Sequence, residues 1–268
     1  MKKRTAFILK ALAFIFVAVL LWIANGFFGN PISKFIANKS AEGYIEKTYP
    51  EMGLEVEGAV YDFKAGEYNV AIKSMTSIDT NFSIDISLIG KIKRDSYQDY
   101  VLSGFNTWER INRDYKSTAE EIFESKDFIY KSDIHYGEIK IKETKSKDLF
   151  GPTYGLRPEE LEKDKIYDIR EIGREAGHLV VYIENEDLNL ERASEILIDI
   201  KRIFDKKDLP FHSIDLSMQR SGNKSGDKET FEIREFPYEE IYKEGLSERV
   251  EKTISQLEEY YKRLDREK

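Results

Sequence analysis

Cysteine is absent from these 268 residues, which excludes thiol catalysis, cysteine-ligated zinc, disulfide staples and a lipidated N-terminal cysteine. Stability must come from packing. Proline is scarce at 6 residues, whereas Tyr and Phe number 16 each, and no long stretch lacks apolar residues, so the chain reads as folded throughout. Disorder is confined to short loops. A cysteine-free exported protein fits a bacterial envelope better than a eukaryotic secretory route, so the N-x-S matches at Asn38, Asn81 and Asn223 are not read as glycan sites.

Recognised motifs are missing as well. There is no G-x-S-x-G, phosphate-binding loop, G-x-G-x-x-G or S-x-x-K between a strand and a helix. Basic patches are missing from all but the extreme N-terminus. The net charge is −8, yet Lys2, Lys3, Arg4 and Lys10 place +4 in the first ten residues and leave −12 on the rest. Such an acidic body is repelled by phosphate backbones, which argues against nucleic acid as a partner.

The run from Ala11 to Ala24 carries no charge. Extended back across Lys10 to Thr5 and forward to Phe28, it is expected to form a helix crossing the ~30 Å hydrocarbon core, with Lys10 snorkelling toward the headgroups. The positive-inside bias then places Met1 in the cytoplasm and the body outside, with Trp22, Phe27 and Phe28 at the outer interface. The competing reading is a cleaved signal peptide with Ala24-Asn25-Gly26 as its cleavage site. Retention is favoured because the apolar stretch is long and Trp22 and Ile23 crowd that site.

The expected fold is α+β: one transmembrane helix followed by two small α+β units with antiparallel sheets. Residues 1–28 form the cytoplasmic tip and anchor, and 29–96 an N-terminal domain of a helix and a three-stranded meander. Residues 97–130 are a bridging helix, and 131–268 a C-terminal α+β domain. Asn30 is placed as N-cap and Pro31 as first residue of a helix that Pro50 ends near Thr48. Alternating apolar residues mark strands at Leu54–Phe63, Tyr68–Ile72 and Phe82–Leu88. A helical stripe of Tyr100, Trp108, Ile111 and Tyr115 marks Tyr97–Phe123. Further on come a strand at Ile134–Ile141, a helix to about Arg174, a strand at His178–Ile183 and a helix at Leu190–Phe204. Strands at Phe211–Gln219 and Glu229–Phe236 flank a flexible loop at Ser221–Asp227. In the closing helix, Ser247 is the N-cap and Val250, Ile254, Leu257, Tyr261 and Leu264 form a narrow apolar stripe expected to pack on the protein's own core.

The segment GNPISKFIANKSAEGYIEKTYPEMGLEVEGAVYDFKAGEYNVAIKSMTSIDTNFSI, directly after the apolar run, resembles the N-terminal part of the YfjL-like family of Gram-positive envelope proteins. The later stretch EIGREAGHLVVYIENEDLNLERASEILIDIKRIFDKKDLPFHSIDL resembles that family's C-terminal domain. The resemblance implies an anchored α+β ectodomain and carries over no functional residues.

Three histidines are the entire imidazole supply: His135, His178 and His212. His178 and His212 open two strands and could approach across a sheet edge, but without His-x-x-x-His or carboxylates at ligand spacing they read as ordinary strand-end residues. The acidic turn Glu184, Asn185, Glu186, Asp187, Asn189 and Glu191 lacks the central Gly and terminal bidentate Glu of a Ca²⁺ loop. It reads as a helix N-terminus capped by Asn189. The tyrosines read as half-buried core residues with polar tips. No catalytic, cofactor-binding or metal residue is assigned, and no cofactor. The expected function is non-catalytic binding of an envelope protein or peptide by a membrane-anchored ectodomain. The alternative is a cell-envelope hydrolase or metal-dependent enzyme, which would require His178 or His212 to meet carboxylates in a cleft.

Overall fold

The structure, a computed structural model, describes residues 2–142, 154–220 and 229–266. The chain divides between Asn106 and Thr107 into two units, each with its own sheet and core.

The first unit contains α1 (Lys2–Phe28), α2 (Pro31–Thr48) and an antiparallel sheet in the order β1 (Leu54–Asp62), β2 (Glu67–Ser74), β3 (Asn81–Ser87) and β4 (Ile92–Asp95). The break between the helices falls at Gly29, whose φ of +66° lies in the left-handed region open to glycine. Asn30 then caps α2, its side chain accepting from Ser33 N at 2.8 Å. The Tyr68 hydroxyl fixes the same junction by accepting from Asn30 N at 3.0 Å and donating to Asn30 O at 2.9 Å. Ala37, Ala41 and Ile45 of α2 pack on Tyr68, Val70, Ile72, Ile84 and Ile86 of the sheet.

Three expectations change here. Among the described residues, no helix is long and apolar enough to cross a membrane. This overturns the transmembrane anchor, and with it the single-pass placement with the body outside. Four cations, Lys2, Lys3, Arg4 and Lys10, occupy the first third of α1 and leave 18 uncharged residues, Ala11–Phe28, or ~27 Å of helix at 1.5 Å per residue, against the roughly 20 residues of a typical span. The meander also has a fourth strand, β4, whose IKRD sequence is too short and too charged to display alternation, as befits a blunted edge. Finally, the helix expected over Tyr97–Phe123 is interrupted: a π-helical turn at Gln98–Leu102 ends at Gly104, whose φ is +75°, and α3 starts afresh at Phe105.

The second unit follows with α3 (Phe105–Phe123, from Thr107 onward), β5 (Ile134–Ile139), α4 (Ile169–Ala176), β6 (Gly177–Glu184), α5 (Leu190–Lys206), β7 (Ser213–Gln219), β8 (Thr230–Pro237) and α6 (Leu246–Arg266). Its sheet runs β5-β6-β7-β8. β5 and β8 pair antiparallel to their neighbours, but β6 and β7 are parallel, which corrects the all-antiparallel expectation. The reason is α5: a strand, a crossover helix and a return strand beside the first make a parallel pair. The helix expected to precede β6 is confined to Ile169–Ala176, after the N-cap Asp168. α6 starts at Leu246, so Ser247 lies in its first turn and meets Ser194 Oγ at 3.2 Å instead of capping. The Ser221–Asp227 loop lies outside the described residues.

Period two decides which side chains enter this core. Leu179, Val181 and Ile183 of β6 and Ile214, Leu216 and Met218 of β7 face the helices, packing with Tyr115, Ile196, Phe204 and Val250. The intervening residues, including His178, Val180 and Tyr182 of β6 and Ser213, Asp215 and Ser217 of β7, project from the opposite face. No described helix residue lines the cleft on that face.

Candidate functional site

The site begins where α4 passes directly into β6. Gly177 O accepts from His212 N at 2.7 Å, which starts the parallel pairing and sets His178 opposite Ser213. Asp215 follows two residues later on the same face. Glu235 arrives by a different route: between Ile214 and Leu216 the pairing with β8 slips by one residue, and the bulged Glu235 adopts φ +52°. That bulge turns a carboxylate onto the polar face of a strand whose Ile233 and Phe236 remain in the core.

Five side chains converge. His178, only 1% exposed, places Nδ1 2.9 Å from Ser213 Oγ and 3.0 Å from the Tyr154 hydroxyl. Tyr154 donates to Glu235 Oε2 at 2.8 Å, Ser213 donates to the same oxygen at 3.0 Å, and the two hydroxyls lie 2.6 Å apart. Nδ1 faces both hydroxyl oxygens, so the ring is held from that side in either tautomer. The other ring nitrogen, Nε2, lies 3.6 Å from Asp215 Oδ1, and Glu235 Oε2 lies 3.8 Å from Nδ1. Asp215 Oδ1 also accepts the Glu235 backbone N–H at 2.7 Å.

Burial would raise the Asp215 carboxyl, but His178, the Glu235 N–H and Lys140 outweigh it and hold the carboxyl below its ordinary range. The Tyr154 phenol is pushed far up, first by burial and then by the Glu235 carboxylate, so it remains a neutral donor. Lys140 is raised too. Burial opposes that shift, and Glu138, 2.8 Å away, overrides it.

Of the histidines singled out in the sequence, His178 alone joins the cluster. His212 stacks on Tyr154 with ring centroids 4.0 Å apart and faces the Arg174 carbonyl at 3.3 Å. It lines a separate cleft of about 480 Å³ with Arg174 and Glu175. His135 sits against Phe123 and Phe128. The acidic turn behaves as a capped helix start, with Asn189 accepting from Arg192 N at 2.9 Å and Asp187 N donating to Asn185 at 3.0 Å. Among the described residues, His178, Asp215 and Glu235 form the one group able to hold a metal, their ligand atoms lying within 4.8 Å of one another.

The sequence reading missed Tyr154, Ser213, Asp215 and Glu235. Period two would have put Ser213 and Asp215 on the face of His178 once a parallel register was known, but the β8 bulge breaks period at Glu235.

Two domain families match this chain: YfjL-like, N-terminal domain, over residues 2–98, and YfjL-like C-terminal domain, over residues 114–251. The chain belongs to the YfjL-like family. No curated protein and no solved structure matches it. All five clustered side chains fall inside the matched YfjL-like C-terminal domain, so the site belongs to the body of that domain.

Proposed function

We propose that this YfjL-like chain is a non-catalytic binding protein that recognises a protein or peptide segment on the helix-free face of its second sheet. One observation carries the reading: that face holds a cleft of about 200 Å³ flanked by Tyr136 and Tyr182, with Tyr182 39% exposed. Tyrosine offers rigid apolar area with a polar tip, the combination favoured in recognition surfaces. The ion pairs Lys140–Glu138 and Arg234–Glu232, at 2.8 and 3.0 Å, supply a polar rim.

The test is selection of a displayed peptide library on the immobilised full chain. Enriched peptides should lose binding to Tyr182→Ala and retain it with a Lys39→Ala control on α2. No enrichment, or binding indifferent to Tyr182, would overturn the reading.

The alternative, a hydrolase or metal-dependent enzyme, gains from the meeting of His178 with two carboxylates. Against hydrolysis by Ser213 stand its burial, at 1% exposure, and the commitment of its hydroxyl to Glu235. Turnover of p-nitrophenyl acetate by the wild type above the Ser213→Ala background would favour the enzyme.

A further inference from the structure

The His178 ring stands between two carboxylates at separations that suit neither hydrogen bonds nor isolation. At 3.6 and 3.8 Å, both exceed a good N–H···O distance. They involve opposite ring nitrogens, and an ion takes only one: the 3.6 Å from Nε2 to Asp215 Oδ1 is close to the ~3.3 Å that separates two ligands on one tetrahedral cation with ~2.0–2.1 Å bonds, and Glu235 is the ligand that closes in. The ligand atoms, all within 4.8 Å of one another, can contract onto a single ion through the carboxylates, whose side chains are partly exposed, Asp215 lining the cleft.

We propose that His178, Asp215 and Glu235 bind one divalent cation of the zinc or manganese class. Three further features support this. The Ser213 and Tyr154 hydroxyls at Nδ1 orient the imidazole, the outer support that a metal-binding histidine requires. Charge balance favours a dication, because two carboxylates face one ring that carries at most a single positive charge, and the nearby cation Lys140 is already paired with Glu138 at 2.8 Å. The third feature is Glu235 itself, in the left-handed region at φ +52°. A residue with a Cβ is strained there, and what it delivers is a carboxylate at the cluster.

The donor set fixes the class of ion. Imidazole with two carboxylates suits borderline first-row dications, whereas Ca²⁺ and Mg²⁺ prefer all-oxygen shells. The cleft beside His178 and Asp215 gives the ion a path and room for water ligands. This site is independent of the partner-binding reading, since a structural ion would serve a binding protein equally well.

Calorimetric titration of the full chain with ZnCl₂ and with MnCl₂ tests the proposal, with MgCl₂ and CaCl₂ as hard-cation controls. One zinc or manganese ion should bind per chain, with affinity at least tenfold above either hard cation. Asp215→Asn and Glu235→Gln, near-isosteric changes at half-buried positions, should each lower that affinity tenfold or more while preserving the circular dichroism spectrum. His178→Ala should abolish binding, and His135→Ala, whose ring sits against Phe123 and Phe128, should leave it unchanged. Absence of stoichiometric binding to the wild type would overturn the site, as would affinity that survives both carboxylate variants or falls equally with His135→Ala.

Discussion

Glu235 donates its backbone N–H to Asp215 Oδ1 at 2.7 Å while its own carboxylate accepts from Tyr154 and Ser213. One bulged residue thus orients one acid and supplies another. The left-handed backbone that makes this possible predicts an ordering of variants. Glu235→Ala keeps the strain and strips both hydroxyls of their acceptor, and should lower stability by about 1–3 kcal/mol. Glu235→Gly loses the same acceptor but relieves the backbone, and should recover about 1 kcal/mol of that loss. Urea denaturation of the two variants checks the ordering.

Tyr115 is fully buried and donates to Pro210 O at 3.1 Å. Tyr115→Phe should cost about 1–3 kcal/mol, because the carbonyl is left without its partner in a dry site. Tyr115→Ala should cost about 3–5 kcal/mol through the cavity. Thermal melting separates the two.

Lys201 is 5% exposed and stands over the Tyr238 ring, with Asp205 at 3.6 Å. Burial depresses its pKa despite the pull of Asp205 and Glu239. The folded value therefore lies below the unfolded ~10.4. Below the folded value both states hold the proton and the full cost of burying the charge is felt. As pH rises through the window between the two values, the native amine loses its proton first and this cost fades. Lys201→Met should raise the urea midpoint at pH 7 and flatten the gain that the wild type shows toward alkaline pH.

Leu246 and Val250 of α6 are buried, and Ile254 packs against the same core. Deleting the chain from Ser247 onward should destabilise the second unit by several kcal/mol, at ~1.5–3 kcal/mol for each large apolar side chain returned to water. A shortened chain with an unchanged melting temperature would mean that the helix contributes nothing to the fold.

Gly29 faces Tyr61 and Tyr68, and an added Cβ would collide with both. Gly29→Ala should therefore lower first-unit stability by at least ~1 kcal/mol, from left-handed strain alone. Circular dichroism melting of the full chain provides the measurement.

Much of the secondary structure was legible because short-range periodicity and capping chemistry are local. Asn30 and Asn189 cap α2 and α5 as their positions suggested, and the alternating runs became β1, β2, β3, β6 and β7. The membrane span rested on extending the apolar run back across Lys10 to Thr5, and no described helix is long and apolar enough to carry it. The unbroken Tyr97–Phe123 helix failed because a glycine inside an apolar stripe reads as tolerated until its φ is known.

What the sequence alone determined is whatever depends on neighbours in the chain: the α+β class, most elements, the acidic body and the absence of thiol chemistry. The functional cluster depended on pairing. His178, Ser213, Asp215 and Glu235 come together only because α5 carries β7 back parallel to β6 and because one extra residue in β8 reverses the phase at Glu235. Strand direction and bulge position are set by packing across the whole sheet. No local pattern encodes them, so tertiary structure alone decided that a histidine at a strand end should face two acids.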